Sequence, residues 1–382
     1  MSKVRIGILG GGGILGAHAP GFQKLTDRCT VTVVAEPDPS RHARIRQLLG
    51  PEVILVADYH DAINHAEVDA VDILLPHHLH LPATLAAAAA GKPVLTEKVM
   101  ARNIAECDQM IAACEAAGVS LTVCHDRRYH GEWMALKEVL DSGALGEVFY
   151  WKLEHNQNVV MAEGSWARSR DGIGGGAIMS CLTHQIDALR WYGGEVARVT
   201  CLTKVLPERM EGESAGVIAA EMASGALANL SINWFTRSHV GPNALWYELV
   251  QVCGTRGEAY YLSGKGTFVL LHDETNTAAV ERYGREALNG FVPVPSGPWN
   301  GHERCIAEWV KHLRGEEAHL LTSGREVRGT VEVAEAAYRS AQRGQTITLP
   351  IEPEPWQSTS DGAIGTAGFA APADPTYVVA AG

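Results

Sequence analysis

The sequence lacks features that would mark several whole classes of protein. Its eight cysteines are scattered with no CxxC pair, so we expect reduced thiols and a cytoplasmic protein. No apolar run approaches the ~18 residues of a membrane span, and the glycine-rich N-terminus does not fit a signal peptide. Acidic residues outnumber basic ones by 44 to 32, a net charge of −12. We therefore expect no nucleic-acid partner and no membrane partner.

The composition is that of a folded protein with two domains. Hydrophobic residues make up 46% and charged residues 20% of the 382 positions, and each domain usually takes about 100–200 residues. Glycine is in excess, with 40 residues, part of them in the clusters Gly10–Gly13 and Gly174–Gly176. These two clusters are the main functional signals of the sequence.

Short apolar runs alternate with helical stretches in residues 1–127. This alternation predicts βαβ units and a doubly wound, mostly parallel sheet, the fold class of a Rossmann domain. The predicted strands are 4–9, 30–35, 71–75, 93–96 and 119–124, and the predicted helices are 14–25, 81–90 and 105–117.

The first glycine cluster lies between the first strand and the first helix. Glycines at this place let the backbone approach a pyrophosphate, which the free N–H groups of the helix N-terminus can bind. The cluster therefore predicts a dinucleotide site, with a ligand-free glycine turn as the alternative. Two registers remain open, and they are Gly11-x-Gly13-x-x-Gly16 and Gly10-x-Gly12-x-x-Leu15.

An acidic residue, Glu36, follows the second strand 20 residues beyond Gly16. A carboxylate at this position binds a ribose 2′-hydroxyl and repels a 2′-phosphate, which predicts NAD rather than NADP. Arg41 lies five residues further on and is able to reach a phosphate, so NADP remains the less favoured alternative.

Strands follow one another without intervening helices in much of residues 128–350. This order predicts a second α/β domain with an open, mostly antiparallel sheet, which favours a homodimer or homotetramer. The predicted strands are 147–153, 217–222, 226–234, 245–253 and 259–262, and the predicted helices are 177–192, 303–314 and 325–343. Residues 351–382 form a Pro/Gly/Ala-rich tail that is either disordered or held by another surface such as a neighbouring subunit.

Several motifs together resemble the glucose–fructose oxidoreductase / inositol dehydrogenase / rhizopine-catabolism (Gfo/Idh/MocA) family of oxidoreductases. The resemblance covers residues 3–350 and implies an NAD-binding Rossmann domain followed by a substrate domain, with nicotinamide held between them. The similar segments are Ile6–Ile14 with His18, Asp69–Ile73 with Pro76 and His80, Gly91–Lys98, Arg128-Tyr129, Gly174–Gly176 with His184-x-x-Asp187, and Ala337-Tyr338-x-Ser340.

Two positions depart from the family pattern. Val99 replaces the proline of the Glu-Lys-Pro motif, at which family members often have a cis bond. Ser180 stands four residues before His184, where the family's dehydrogenases commonly have an aspartate. The second departure weakens the transfer of the inositol-dehydrogenase mechanism to this chain.

Alcohol oxidation with NAD requires a hydride acceptor and a group that removes the hydroxyl proton. Lys98 follows the fourth predicted strand, 93–96, at the carboxyl edge of the sheet, where such folds bind ligands. We predict Lys98 and His184 as the catalytic residues. The alternative for Lys98 is a solvated lysine paired with Glu97, and the alternative for His184 is a histidine that only packs within its helix. The predicted substrate-binding residues are Asp187, Ser180, Arg128 and Trp166. The predicted cofactor-binding residues are Gly10, Gly12, Gly13, Ile14, Leu15, Glu36, Arg41, Pro76, His80, Glu97 and Lys98.

Three histidines, His77, His78 and His80, raise the question of a metal site, since histidine is the commonest metal ligand. They follow Pro76 at a strand end, where the resemblance implies a loop on the nucleotide side. We therefore predict a cofactor-proximal role for His80 and no metal.

The prediction for the whole chain is an NAD-dependent oxidoreductase that oxidises a secondary hydroxyl of a sugar, glycoside or cyclitol. One alternative is a redox-neutral enzyme that cleaves glycosides by oxidation, elimination and re-reduction. A second alternative is a nicotinamide-sensing regulator without chemistry.

Overall fold

A six-stranded parallel sheet with helices on both faces forms the first part of the chain. The computed structural model describes residues 2–236, 246–272, 277–284, 290–298, 300–354 and 378–379. The sheet order is β3-β2-β1-β4-β5-β6. The strands are β1 (Val4–Leu9), β2 (Cys29–Ala35), β3 (Ile54–Val56), β4 (Ala70–Ile73), β5 (Val94–Glu97) and β6 (Leu121–Cys124), and the helices are α1 (Leu15–Gln23), α2 (His42–Leu49), α3 (Tyr59–Ile63), α4 (His77–Ala89) and α5 (Ile104–Ala116).

The strand order reverses between β1 and β4, and this reversal positions the site. Strands β1, β4, β5 and β6 are rich in apolar residues and almost entirely buried because helices cover both faces of the sheet, and Asp72 and Glu97 are buried charged residues within β4 and β5. In such folds ligands bind at the carboxyl ends of the strands beside the reversal. The predicted Rossmann fold is therefore confirmed.

A nine-stranded sheet follows, in the order β15-β14-β13-β12-β7-β11-β10-β9-β16. Neighbouring strands are antiparallel except for β7 and β11, which are parallel, so the predicted mostly antiparallel sheet is also confirmed. Its strands are β7 (Val148–Gln157), β9 (Val196–Val205), β10 (Glu213–Met222), β11 (Leu227–Asn233), β12 (Trp246–Gly254), β13 (Gly257–Leu262), β14 (Gly266–Leu271), β15 (Val292–Val294) and β16 (Ile347–Thr348); β8 (Val160–Met161) pairs separately with β17 (Val378–Val379).

Two late helices return to the first sheet, and one of them, α11, also contacts the second sheet. The helices of this part are α6 (Gly131–Asp141), α7 (Arg170–Ile173), α8 (Thr183–Gly193), α9 (Thr277–Tyr283), α10 (Gly301–Leu313) and α11 (Gly324–Arg343). Helix α10 packs on α1, and its Ile306 and Trp309 share a core with Ile6 and Leu15. Helix α11 contacts α5, α8 and β9. The chain that follows the predicted boundary at 127/128 thus returns to the first sheet.

Local structure differs from prediction at two functional segments. Helix α4 begins at His77 rather than at 81, so His77, His78 and His80 lie in a helix and not in a loop. The predicted helix 177–192 is divided into a π-helical turn, Ile178–Leu182, and α8. The predicted tail lies outside the described residues except for 351–354 and β17.

No helix among the described residues is both long enough and apolar enough to cross a membrane.

Candidate functional site

A cleft of about 840 Å³ opens at the carboxyl edge of the parallel sheet. One wall comes from the strand ends and the other from residues 161–167, together with Ile173 and Ser180. The predicted site residues that line it are Gly10, Gly12, Ile14, Glu36, Arg41, Pro76, Glu97, Lys98, Trp166 and Ser180. The structure thus brings ten of the predicted residues together around one space of the size that small ligands occupy.

The turn after β1 decides between the two glycine registers. Gly10 has φ +105°, and a Cβ there would lie 2.6 Å from the Leu74 carbonyl oxygen. Only glycine fits this position, which identifies it as the first glycine of the fingerprint. The register is therefore Gly10-x-Gly12-x-x-Leu15. Leu15 is fully buried at the start of α1 and, like Gly13, is not among the residues that line the cleft.

Glu36 lines the cleft together with Gly10 and Gly12. Its carboxylate accepts hydrogen bonds from the backbone N–H groups of Gly11 at 3.0 Å and Asp38 at 2.9 Å. Arg41 Nη1 lies 3.4 Å from the same carboxylate. The acidic group is thus fixed against the glycine turn, and these residues fit the adenosine and pyrophosphate portions of a dinucleotide.

Sequence reasoning missed one basic residue at this turn. Arg44 on α2 donates to the carbonyls of Gly12 at 3.2 Å and Gly13 at 3.4 Å. No motif marks this arginine, because α2 itself was not predicted.

A buried histidine, His18, fixes the end of β5. Its two ring nitrogens lie 2.8 Å from Asp72 Oδ2 and 2.9 Å from Glu97 Oε1. Burial alone would lower the pKa of His18, but the two carboxylates hold it well above its usual value. The histidine hydrogen bonds hold the pKa of Glu97 well below its usual range despite its burial. The result is an imidazolium between two carboxylates, beside Lys98.

The same region brings together four potential metal ligands, His18, Glu97, Cys124 and His302, with donor atoms within 4.8 Å of one another. The hydrogen bonds of His18 already satisfy both of its ring nitrogens. The hydrogen bonds of His18 with Asp72 and Glu97 therefore account for the close approach of these side chains.

Lys98 crosses the cleft and contacts the second part of the chain. Its ammonium donates to the backbone carbonyl of Ser180 at 2.7 Å. Its backbone N–H donates to Glu97 at 3.2 Å, and the Lys98–Val99 peptide bond is cis. A lysine head group is thus held at the boundary between the cofactor-binding turn and the second wall.

His184 is not among the residues that line the cleft, although the Lys98 and Arg127 charges lie near its ring. It is only 7% exposed, and its ring stacks at 6.1 Å on the ring of His155. Its Nδ1 lies 3.6 Å from Asp126 Oδ1, with no hydrogen-bond partner. Burial and the nearby Arg127 and Lys98 cations hold the pKa of His184 well below its usual value, so the imidazole is neutral.

A buried polar network behind His184 was also missed by sequence reasoning. Arg127 bridges Asp126 at 2.6 Å and Glu248 at 3.0 Å. Burial alone would raise the pKa of Glu248, but Arg127 and His155 lower it to about 2. Arg127 and Glu248 are 121 positions apart in the sequence, and no motif connects them.

Arg128 and Asp187, both predicted to bind substrate, instead bind each other. Arg128 donates to both carboxylate oxygens of Asp187, at 2.8 and 2.9 Å, and both side chains are buried. Thr330 donates to Asp187 at 3.0 Å, and Arg128 also donates to Glu326 at 3.0 Å. These contacts favour a structural role for the pair over substrate binding.

Two histidines of α4, His77 and His80, bind backbone carbonyl groups, and His77 also lines the cleft. His80 is fully buried, with its ring nitrogens 2.9 Å from the Val99 carbonyl oxygen and 2.8 Å from that of Leu75. His77 contacts the Ile173 carbonyl at 3.0 Å and packs at 4.9 Å against the ring of Trp166. His80 therefore supports the cleft-lining loops from behind.

Comparison with known proteins assigns the family. A model of the Gfo/Idh/MocA oxidoreductase family described as an NAD-binding Rossmann fold matches residues 4–125, and a model of the family's C-terminal domain matches residues 133–260. The chain belongs to the Gfo/Idh/MocA family. It is an NAD-dependent dehydrogenase that acts on CH–OH groups, as the resemblance implied.

Curated relatives of similar length are named as sugar or cyclitol dehydrogenases. A D-apiose dehydrogenase of Rhizobium rhizogenes is 25% identical over 334 residues, which cover 84% of this chain and 90% of the relative. An inositol 2-dehydrogenase of Streptomyces avermitilis is 28% identical over 357 residues, which cover 92% of this chain and 95% of the relative.

Solved structures share the fold. The WlbA dehydrogenase of Bordetella pertussis, crystallised with NADH and UDP-GlcNAcA, has a TM-score of 0.77 at 23% identity and covers 92% of this chain and 99% of its own. A levoglucosan dehydrogenase crystallised with NADH and L-sorbose has a TM-score of 0.77 at 21% identity, and the match covers 92% of this chain and 100% of that one.

The Asp187→Asn substitution tests the structural role of the ion pair. Breaking a buried pair costs about 3–5 kcal/mol, so we expect a loss of that size in the free energy of unfolding measured with urea at pH 7. Burial alone would raise the pKa of Asp187, but Arg128 lowers it to about 2 from its ordinary value of 3.8. The pair's contribution is therefore fully present above pH 4 and is lost as the pH falls toward 2.

Glu326→Gln is the matched control, because Glu326 is a half-exposed partner of the same arginine. We expect it to cost less than about 1 kcal/mol. Equal urea midpoints for Asp187→Asn and the wild type would show that Asp187 is not structural.

Proposed function

We propose that the protein oxidises a secondary hydroxyl of a sugar, glycoside or cyclitol and transfers the hydride to NAD. The observation that carries the proposal is the Lys98 ammonium, which lies in the same cleft as the Gly10–Gly12 turn and Glu36. The relatives named D-apiose dehydrogenase and inositol 2-dehydrogenase support a polyol substrate. The cleft of about 840 Å³ has the size of a small-molecule binding site.

Bound NAD supplies the hydride acceptor, and the protein supplies the proton acceptor. In its amine form, Lys98 accepts the hydroxyl proton at Nζ. The Ser180 carbonyl, 2.7 Å away, orients this head group. Trp166 and Ser180 line the wall opposite the strand ends and face the substrate.

His184 is the second proposed catalytic residue. Its imidazole is neutral, so it can either accept a proton or donate a hydrogen bond that orients a hydroxyl. It lies four residues after Ser180, whose carbonyl binds Lys98, and the Lys98 charge acts on its ring. Arg128 and Asp187 hold α8, the helix that carries His184.

The assay for this proposal incubates the protein with NAD or NADP and a panel of sugars, glycosides and cyclitols. Both nicotinamide reduction and product release are followed. We expect NADH to accumulate in a 1:1 ratio with a keto product. Product formation without net NADH would instead establish the redox-neutral reaction, which the named relatives do not favour.

The Lys98→Ala substitution tests the proton acceptor. We expect kcat to fall by ~10²–10⁴-fold, the usual contribution of a positioned general base. The affinity for NADH, measured by fluorescence titration, should change little because Gly10, Gly12 and Glu36 remain.

Lys92→Ala is the control for Lys98→Ala, since Lys92 donates to the Val68 carbonyl outside the cleft. Its turnover should match the wild type. Wild-type turnover in Lys98→Ala would remove this residue from the mechanism.

The Glu36→Gln substitution tests the preference for NAD over NADP. A carboxylate about 4 Å from a 2′-phosphate costs roughly 1–4 kcal/mol, while glutamine keeps an acceptor for the Gly11 N–H. We therefore expect the ratio of the Kd for NADPH to the Kd for NADH to fall about tenfold or more. Asp38→Asn, in the same turn, should leave the ratio unchanged. An unchanged ratio in Glu36→Gln would contradict the assigned role.

We also propose a homodimer or homotetramer that forms through the outer face of the nine-stranded sheet. Leu202, Val217 and Leu227 lie on one face of β9–β11, with exposures of 76%, 49% and 55%. Exposed apolar side chains on an open sheet are characteristic of an interface. Light scattering should give two or four times the 41.0 kDa of the chain, and a mass of 41.0 kDa would contradict the proposal.

A further inference from the structure

The second glycine cluster binds a tyrosine from the last helix. Tyr338, on α11, accepts hydrogen bonds at its hydroxyl oxygen from the backbone N–H groups of Gly176 at 3.0 Å and Met179 at 3.1 Å. The hydroxyl donates to Glu213 Oε1, on β10, at 2.8 Å. One phenol group thus fills all of its hydrogen-bonding positions at this turn.

Glu213 binds the same turn directly. Its Oε1 accepts the N–H of Ile178 at 2.8 Å, and the side chain is only 6% exposed. Burial raises the pKa of Glu213 to about 7. Tyr338 and Glu213 together therefore satisfy three backbone N–H groups of residues 176–179.

Glycine is required here because the two side chains approach the backbone so closely. A Cβ at Gly175 would collide with the Tyr338 hydroxyl, and one at Gly176 would collide with Glu213. Two glycines of the second cluster, Gly175 and Gly176, thus admit this pair, while the third, Gly174, lies against Arg102.

The bound turn leads directly to the Lys98 contact. Residues 178–182 form the π-helical turn, and within it the Ser180 carbonyl accepts the hydrogen bond of Lys98 Nζ. The N–H of Ser180 donates to the Gly176 carbonyl at 2.9 Å. The position of the Ser180 carbonyl is therefore set by the segment that Tyr338 and Glu213 hold.

We propose that Tyr338, supported by Glu213, is a positioning residue for Lys98: it fixes the 176–179 backbone so that the Ser180 carbonyl holds the lysine head group in the cleft. The significance for catalysis rests on the proposed role of Lys98. The positioning itself is a property of the free protein and can be measured without a substrate.

The test compares Tyr338→Phe with the wild type by competitive acetylation with acetic anhydride, with each lysine quantified by mass spectrometry. An ammonium that loses part of a hydrogen bond is acetylated faster. We expect the acetylation rate of Lys98 to rise about three- to tenfold, the change for partial loss of one hydrogen bond to a charged group. Lys92, bonded to the Val68 carbonyl at 2.5 Å, is the internal reference and should not change.

Tyr192→Phe is the matched control variant. It also removes one tyrosine hydroxyl, which donates to the Trp133 carbonyl at 2.8 Å and does not contact the turn. Its Lys98 acetylation rate should equal that of the wild type. Glu213→Gln keeps the shape of the side chain and is the second variant, for the case that Tyr338→Phe does not fold. We expect it to raise the acetylation rate of Lys98 about twofold.

Kinetics with the best substrate of the panel separate positioning from general stability. Tyr338→Phe should lower kcat about tenfold while KM and the Kd for NADH change little, because only the lysine moves. An unchanged Lys98 acetylation rate in both Tyr338→Phe and Glu213→Gln would overturn the proposal. A raised Lys98 acetylation rate in a protein that shows no dehydrogenase activity would support the positioning role of Tyr338 and refute the proposed function.

Discussion

A buried ion pair between Arg128 and Asp187 is the interaction on which the site depends. Arg128 lies in the turn that follows β6, and Asp187 lies on α8, so the pair joins the end of the parallel sheet to the second half of the chain. Thr330 on α11 completes it. Since each charge is desolvated, neither partner can move without leaving the other unpaired at a cost of several kcal/mol. The wall that carries Ser180 is thereby fixed relative to the strand ends.

Buried charge fixes the opposite side of the cleft as well. The imidazolium of His18 lies between Asp72 and Glu97 and secures the last residue of β5, directly before Lys98. The lysine therefore extends from one rigid element to a carbonyl of another. A proton acceptor held in this way needs little rearrangement before the reaction, which is what a pre-organised site requires.

The Rossmann half was largely predictable, because its strands are short apolar runs and its glycine turn follows a strand. The pattern predicts the start of α4 four residues too late, because Pro82 suits the first turn of a helix, whereas α4 begins directly after Pro76. Spacing placed His184 and Asp187 on one helix face but did not show that this face turns inward. The inward direction is set by Arg128, 59 residues earlier in the chain.

Other parts of the site leave no pattern in the sequence. The contacts of Glu97 with His18 and of Tyr338 with Glu213 join residues 79 and 125 positions apart. The sequence marks only a consequence of the second contact, the glycines Gly175 and Gly176 that the close approach of Tyr338 and Glu213 requires. The division of the predicted helix 177–192 follows from the same tertiary contacts, since Glu213 and Tyr338 bind N–H groups at its start.

The measurement that tests the account most directly is a crystal structure of the protein with bound NADH. The account predicts an adenosine ribose within hydrogen-bond distance of Glu36, a pyrophosphate over the Gly10–Gly12 turn and a nicotinamide ring beside Lys98 Nζ, with the Lys98–Ser180 bond intact. A nicotinamide ring bound away from Lys98, on another wall of the cleft, would contradict it.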